Sequence, residues 1–115
     1  MKQLTIINKD ITTITEGIIV HQVNNKGDVV ATLINKNLVV CDLIAQDGYG
    51  EDRCYTIYEA LAKSLMKVNK LATLANKPVY IPYGIGCELA GGDWNIIENI
   101  IRKCCPQAII CKYSK

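Results

Sequence analysis

The sequence lacks the residue patterns that mark several common classes of binding protein. It has one histidine, and its six cysteines form no C-x-x-C pair, so we expect no metal site. Its few aromatic residues are mostly tyrosines with no stacking pattern, its lysines form no run, and its net charge is only +2. Because nucleic-acid binding relies on basic patches and stacked aromatics, no nucleic-acid partner is expected.

Long hydrophobic stretches are also missing, and we expect no secretory leader. No apolar run approaches the roughly 20 residues that span a bilayer. The first five residues lead directly into strand-like sequence, without the pattern of a signal peptide. We therefore expect a cytoplasmic protein without a membrane partner. The cysteines are then predicted to be free thiols, with Cys41 and Cys111 buried in strands.

The chain does have enough apolar material for one packed core. Half of its 115 residues are hydrophobic and about a fifth are charged. This length and composition predict a single domain over residues 1–115 that folds without disulfides or metal.

The first half of the sequence is rich in strand-forming residues. Residues 4–8 predict a strand, and 11–14 its continuation after a turn. The apolar, β-branched run at 18–23 indicates a strand buried on both faces. Residues 29–34 and 38–45 predict a hairpin around a turn at 35–37.

The second half predicts helix, strand, helix and strand. Thr56 and Glu59 have capping-box spacing, and the apolar spacing that follows predicts a helix ending near residues 75–76. A strand is predicted at 79–83, a helix capped by Asp93 after it, and a last strand at 108–113. This order implies parallel strands with right-handed crossovers, and thus an α/β class with a mixed sheet flanked by helices.

A glycine-rich loop joins the strand at 79–83 to the helix at Asp93. Its glycines allow positive φ angles and a close approach of the backbone to a ligand. Amide N–H groups beside a helix N-terminus are a common phosphate-binding device, so the loop predicts an anion site. Glu88 adds a negative charge within the same loop.

Several polar residues near predicted strand ends have two interpretations each. His21 could act as a general acid or base with Asp93, or it could be a structural histidine. Asp93 could direct its carboxylate into a ligand crevice, or it could simply cap its helix. Asn24 and Asn25 could bind ribose hydroxyls or form a turn, and Asp10 could accept a hydrogen bond from an exocyclic amine or form a turn. Cys87 as a nucleophile is disfavoured, since only His21 could serve as its base.

Taken in order along the chain, five segments resemble the macro domain family, in particular its small phage-type branch of ADP-ribose-1''-phosphate phosphatase-like proteins. The segments are Lys9-Asp10-Ile11, His21-Gln22-Val23-Asn24, residues 43–50, residues 55–65 and residues 81–94. The resemblance implies an α/β/α sandwich that binds ADP-ribose.

The resemblance also implies roles for single residues. Asp10 and Ile11 would contact the adenine, Asn24 and Asn25 the distal ribose, and residues 84–92 the diphosphate. His21 and Asp93 would be the catalytic pair if the protein is an enzyme. The full set of expected ligand-binding residues is Asp10, Ile11, Asn24, Asn25, Tyr83, Gly84, Ile85, Gly86, Cys87, Glu88, Gly91 and Gly92.

The sequence departs from the family pattern at two places. After Gly27 the family has a second glycine-rich loop, G-x-M-G-x-G-x-A, and a helical segment, whereas here Asp28 follows directly. Glu88 stands where the family has glycine, and a nearby, poorly solvated carboxylate would repel a diphosphate by roughly a few kcal/mol. The chain is therefore predicted to be a reduced form, with one sheet face partly uncovered and available for self-association.

These departures favour binding without turnover. The first hypothesis is an ADP-ribose-binding homo-oligomer that sequesters a cyclic or glycocyclic ADP-ribose immune signal for a phage, with a neighbouring subunit supplying the lost wall of the site. The alternatives are a phosphatase or ADP-ribosyl hydrolase using His21 and Asp93, and an interaction module without a ligand. No cofactor is expected in any of them.

Overall fold

The described chain is a mixed β-sheet with two α-helices. The computed structural model describes residues 3–46, 58–85 and 92–113, leaving out the side chains of 23–29 and 44–46. The elements in chain order are β1 (Thr5–Ile7), a 3-10 helix (Ile11–Thr13), β2 (Gly17–Asn35), β3 (Leu38–Gln46), α1 (Tyr58–Ala75), β4 (Val79–Pro82), α2 (Trp94–Cys104) and β5 (Ile109–Cys111). The predicted α/β class is confirmed.

The strands lie in the order β1-β5-β4-β2-β3. β1 runs parallel to β5, β5 parallel to β4, and β4 parallel to the start of β2. As expected for parallel neighbours, the connections between them are crossovers, and these include both helices.

β2 passes along both sides of β3. Its first arm, residues 17–22, runs in the same direction as β3, with Gly17 opposite Leu38 and Gln22 opposite Leu43. Its second arm, residues 29–35, runs in the opposite direction, with Val29 opposite Leu43. The second arm and β3 form the predicted hairpin. Counted by arms, the sheet has six strands.

The two helices of the described residues pack on the same face of the sheet, so these residues do not form both helical layers of the expected α/β/α sandwich. The connections β3-α1-β4 and β4-α2-β5 step across the sheet in the same direction, and right-handed crossovers then place both helices on one side. The helices contact each other and share one core with the strands. Its fully buried side chains include Ile18, Val20, Leu61, Leu65, Val68, Ile81, Ile97, Ile101 and Ile110.

The opposite face is more open, so the expectation that residues 18–23 are buried on both faces was wrong. Ile18 and Val20 are buried towards the helices, whereas Ile19 is half-buried and His21 is exposed. Successive side chains of a strand point to opposite faces. The short connection containing the 3-10 helix also contacts β4.

The segment at Ile11–Thr13 is a 3-10 helix, not the predicted continuation of β1. An Asp10 side-chain oxygen accepts hydrogen bonds from the Thr12 amide at 3.0 Å and the Thr12 hydroxyl at 2.7 Å. A capping aspartate favours a local turn over an extended strand, and this contact overrides the β-branched composition of the segment.

The ends of the helices follow their sequence signals. α2 begins directly after Asp93, which caps it as predicted, and α1 ends at Ala75. Asn76 follows with a left-handed φ of 53°, and the Lys77 amide donates to the Ala72 carbonyl at 3.1 Å. This is a common way to end a helix, here just before Pro78. The predicted cap at Thr56 lies outside the described residues.

The four cysteines in the described ranges are free thiols, and Cys41 and Cys111 are buried as predicted. Burial raises the pKa of both thiols. Burial also raises the pKa of Cys105, to about 12, with a smaller contribution from neighbouring Cys104. These thiols are therefore core groups rather than nucleophiles.

Candidate functional site

The carboxyl ends of four parallel strands lie side by side at one edge of the sheet. β1, β5, β4 and the first arm of β2 are parallel, so their carboxyl ends meet at this edge. The Lys112 amide donates to the Ile7 carbonyl, and the Tyr83 amide to the Cys111 carbonyl, both at 2.9 Å. In α/β sheets, ligands collect in the crevice outside these strand ends.

Both helices also begin at this carboxyl edge, because each follows a strand that ends there. The Tyr58 hydroxyl, at the first residue of α1, accepts a hydrogen bond from the Asp93 amide at 3.0 Å. The N-termini of α1 and α2 are thus held together. Each carries the positive end of a helix dipole, so the edge favours an anion.

Tyr83 lies at the centre of an aromatic and cationic group on this edge. Its ring centroid is 4.6 Å from that of Trp94, and Lys112 Nζ is 4.3 Å from the Tyr83 ring centroid. The Tyr83 side chain is 40% exposed, so part of it remains open to a ligand. Gly84 follows with a φ of 80°, in a turn closed by the bond from the Ile85 amide to the Pro82 carbonyl at 3.2 Å.

The sequence predicted Tyr83 as a ligand-binding residue but assigned no role to Lys112 and Tyr58, which lie at the same edge. Lys112 directly follows β5 just as Tyr83 follows β4, so the rule that ligands collect at strand ends could have pointed to it. Tyr58 gives no such signal, because its contact with Asp93 depends on how the two helices pack.

His21 has a partner that the sequence did not suggest. Its Nδ1 lies 3.2 Å from Asp42 Oδ1, and its side chain is 65% exposed. The two residues are opposite each other in the register of β2 and β3. By strand alternation they lie on the open face of the sheet, away from α2. The proposed pairing of His21 with Asp93 stays a prediction.

Asp93 acts in the structure as a helix cap. One of its carboxylate oxygens accepts a hydrogen bond from the Asn95 amide at 2.9 Å. This is the structural role that the sequence also allowed, and it leaves the catalytic role of Asp93 as a prediction.

Some of the remaining residues predicted to bind the ligand lie at the carboxyl edge, and the others lie outside the described residues. Asp10 and Ile11 follow β1 at the edge, and the Asn24 and Asn25 backbones lie opposite Gln46 at the end of β3. Gly92 directly precedes the cap of α2. Gly86, Cys87, Glu88 and Gly91 lie outside the described residues.

Lysines contribute the charge near the ends of β1 and β5. Lys9 follows β1, and it is close enough to Cys111 to offset part of the rise that burial causes in that thiol's pKa. Lys112 follows β5. Two cations at neighbouring strand ends add to the positive ends of the helix dipoles.

Neither a metal cluster nor a membrane-spanning helix occurs within residues 3–46, 58–85 and 92–113. No group of three or more histidine, cysteine, aspartate or glutamate side chains is arranged to hold a metal ion there. The helices of these ranges are too short or too polar to cross a bilayer.

Known proteins resemble this chain in structure rather than in sequence. No protein-family model matches the sequence, and no curated protein matches it. A Bacteroides thetaiotaomicron protein of unknown function superposes with a TM-score of 0.83 and 22% identity, over 96% of this chain and 98% of that one.

Two further solved structures that resemble this chain are named as macrodomains. A macrodomain protein from Streptomyces coelicolor superposes with a TM-score of 0.74 and 19% identity, over 98% of this chain and 99% of that one. The macrodomain of Mycobacterium tuberculosis DarG superposes with a TM-score of 0.69 and 12% identity, over 100% and 99%. The chain therefore has a macrodomain fold.

Proposed function

We propose that the protein binds an ADP-ribose-type nucleotide at the carboxyl edge of its sheet and does not turn it over. The observation that carries the proposal is the meeting of two helix N-termini with the parallel strand ends, joined by the 3.0 Å bond between Tyr58 and Asp93. This geometry favours a diphosphate, and the macrodomain fold is consistent with that ligand.

The group around Tyr83 suits the rest of such a ligand. A tyrosine ring that is 40% exposed offers a stacking surface for a base or a ribose face. Lys112, 4.3 Å from the ring centroid, supplies a cation next to that surface. A nucleotide diphosphate combines the planar and anionic groups that these side chains would contact.

The contacts of the suggested catalytic residues favour binding over hydrolysis. His21 lies 3.2 Å from Asp42, while Asp93 accepts a capping hydrogen bond at 2.9 Å. Catalysis requires the reacting groups and the substrate to be held in one geometry, and loss of positioning greatly lowers the rate. The missing second glycine-rich loop and the negative charge of Glu88 also favour binding over hydrolysis.

The biological role that fits binding without turnover is sequestration. A phage protein of this kind would hold a cyclic or glycocyclic ADP-ribose immune signal and keep it from its receptor. Only binding is required for this role, so a site with reduced catalytic geometry suffices. The protein would act as a homo-oligomer in the cytoplasm of the host cell.

Calorimetric titration with ADP-ribose and its cyclic relatives tests the binding proposal. We expect saturable binding that Tyr83→Ala weakens about tenfold or more, since stacking on an aromatic ring contributes about 1–3 kcal/mol. Leu74→Ala, at the far end of α1 and also exposed, is the control and should bind normally. A flat titration of the unmodified protein would favour the interaction module instead.

Recovery of the ligand separates binding from hydrolysis. After incubation, the protein is denatured and the released nucleotide is examined by mass spectrometry. We expect the cyclic nucleotide and ADP-ribose-1''-phosphate to return intact. A dephosphorylated or opened product that disappears in the His21→Ala variant would establish the hydrolase alternative.

A further inference from the structure

Among the described residues, the second arm of β2 is an exposed outer strand of the sheet. It runs beside β3, and its side chains from Val30 to Asn35 are all exposed. Three of them are large and apolar: Val30 is 50%, Leu33 68% and Ile34 55% exposed. The arm therefore presents apolar side chains together with the outer row of its backbone groups.

Over residues 29–33 this outer strand lacks most of the features that usually prevent strands from pairing with other molecules. Protein edges are protected by charged residues, proline, bulges or short length. Residues 29–35, Val-Val-Ala-Thr-Leu-Ile-Asn, contain no charge, proline or glycine. From Val29 to Leu33 the register with β3 advances one residue at a time, and irregularities lie on either side, between Lys26 and Val29 and between Leu33 and Asn35.

The sequence of the arm is complementary to itself when it is read in the opposite direction. If two arms pair antiparallel about Thr32, Val30 lies opposite the partner's Ile34 and Thr32 opposite the partner's Thr32. Ala31 meets the partner's Leu33 on the face opposite to that of Thr32. Pairs of β-branched and apolar residues across strands stabilise a sheet.

The charges that flank the arm are complementary in this same register. The sequence carries Asp28 just before the arm and Lys36 just after it. Antiparallel pairing about Thr32 brings position 28 of each copy near the partner's position 36, which is the first residue of the hairpin turn. The register that matches the apolar positions therefore also matches opposite charges, twice, and this match favours a second copy of the chain over an unrelated partner.

We propose that two copies pair antiparallel through the second arm of β2, so that their two sheets join into one continuous sheet at this junction. The contact is two-fold symmetric and therefore closes as a dimer. Each copy covers the outer backbone groups and the exposed Val30, Leu33 and Ile34 of the other.

A charge at the centre of the proposed junction tests it. Thr32→Lys places two ammonium groups opposite each other in the dimer, while the exposed position 32 tolerates lysine in a single chain. Thr5→Lys is the matched control, since Thr5 is an exposed threonine in β1 at the other edge of the sheet.

Sedimentation equilibrium is the measurement for these variants. We expect the unmodified protein and Thr5→Lys to have twice the 12.7 kDa mass of one chain, and Thr32→Lys to dissociate at least tenfold more readily. Circular dichroism verifies that both variants are folded. An unmodified protein of single-chain mass, or a folded Thr32→Lys variant that dimerises normally, would overturn the proposal.

Cross-linking tests the register without adding charge. In the Thr32→Cys variant the two new thiols face each other, and mild oxidation should give a covalent dimer whose linked peptides both contain residue 32. Thr5→Cys is the control and should not cross-link. A linkage that joins residue 32 only to native cysteines would contradict the register.

A charge exchange tests the ends of the junction. Lys36→Asp places like charges opposite each other and should weaken the dimer several-fold, whereas adding Asp28→Lys restores the opposite charges and should recover it. A double variant as weak as Lys36→Asp alone would rule out pairing about Thr32.

Discussion

Gly17 and Gly84 both have positive φ angles, but they differ in their surroundings. At Gly17, with φ 107°, a Cβ atom would lie 2.9 Å from the Pro78 carbonyl oxygen and 3.0 Å from the Tyr80 ring. At Gly84, with φ 80°, a Cβ atom would have no neighbour within 4 Å. Gly17 thus combines a backbone requirement with a steric one, whereas Gly84 has only the first.

We predict that Gly17→Ala lowers the free energy of unfolding by about 3 kcal/mol and Gly84→Ala by about 1 kcal/mol. The left-handed backbone costs an alanine roughly 1–2 kcal/mol, and a clash with packed atoms costs roughly 1–3 kcal/mol more. Urea unfolding of both variants provides the comparison. Equal losses would contradict the role given to Pro78 and Tyr80.

Cys105 is predicted to make the fold sensitive to alkaline pH. Its folded pKa is about 12, raised by burial, while an unfolded thiol ionises near 9. The unfolded state therefore loses the proton first. The stabilising contribution is complete below about pH 9 and is lost as the pH rises towards 12.

Unfolding measurements over this alkaline range provide the test. In the unmodified protein the free energy of unfolding should decline as the pH rises from about 9 towards 12. Replacing Cys105 with alanine should make this decline shallower by up to about 1.4 kcal/mol per pH unit. Cys104→Ala is the neighbouring control and should keep most of the decline, because Cys104 is only half-buried. The same slope in the unmodified protein and in Cys105→Ala would contradict the prediction.

Single residues differ in how far their roles can be predicted from the sequence. Asp93 caps α2 as predicted, because capping depends on residues only two or three positions away. The contact between His21 and Asp42 depends on the register between two strands, which residue types alone do not specify. The burial of Cys41 and Cys111 followed from their apolar neighbours.

At the scale of elements, the start of α2 allows structure and charge to be tested separately. Asp93→Ala removes the hydrogen bond to the Asn95 amide and should cost about 1 kcal/mol of stability. Asp93→Asn keeps a capping oxygen and should leave the stability nearly unchanged. Thermal unfolding of both variants measures this difference.

The same two variants separate capping from catalysis. If the protein only binds its ligand, Asp93→Asn should remain folded and return the nucleotide intact, as the unmodified protein does. A hydrolytic activity that Asp93→Asn abolishes at unchanged stability would instead assign the carboxylate a chemical role.

The two helices are joined by the hydroxyl of Tyr58. Tyr58→Phe removes the acceptor of the Asp93 amide, and we expect a loss of about 1 kcal/mol in the free energy of unfolding. Because this bond holds the helix N-termini together, ligand binding should weaken as well. Chemical unfolding and calorimetric titration of this variant measure the two effects, and normal affinity would show that the site does not depend on the bond.

Most elements were predictable from local patterns, but their arrangement was not. Apolar spacing and capping residues indicated both helices, and the predicted turn at residues 35–37 indicated the hairpin. The passage of β2 along both sides of β3 joins residues far apart in the sequence, so no local pattern reports it. The 3-10 helix was missed because one capping contact outweighed strand propensity.

For the whole molecule, the proposed dimer and the proposed ligand site are independent. Antiparallel pairing through the second arm of β2 reverses one sheet relative to the other, so the two carboxyl edges face opposite directions. This junction does not supply a missing wall to either site. Calorimetric titration of Thr32→Lys should therefore give the same affinity for ADP-ribose as the unmodified protein, and a loss of affinity would mean that the copies share a site.

The pairing of β1 with β5 has a consequence for synthesis. Thr5 lies opposite Ile109, and among the described strands β1 has only β5 as its neighbour in the sheet. A ribosome produces β5 last of these strands, so β2, β3, α1 and β4 can assemble while β1 still has no partner. Contacts between such distant residues slow folding. The growing chain must therefore keep β1 from other nascent chains until β5 emerges, and a chain stalled before residue 109 should be prone to aggregation.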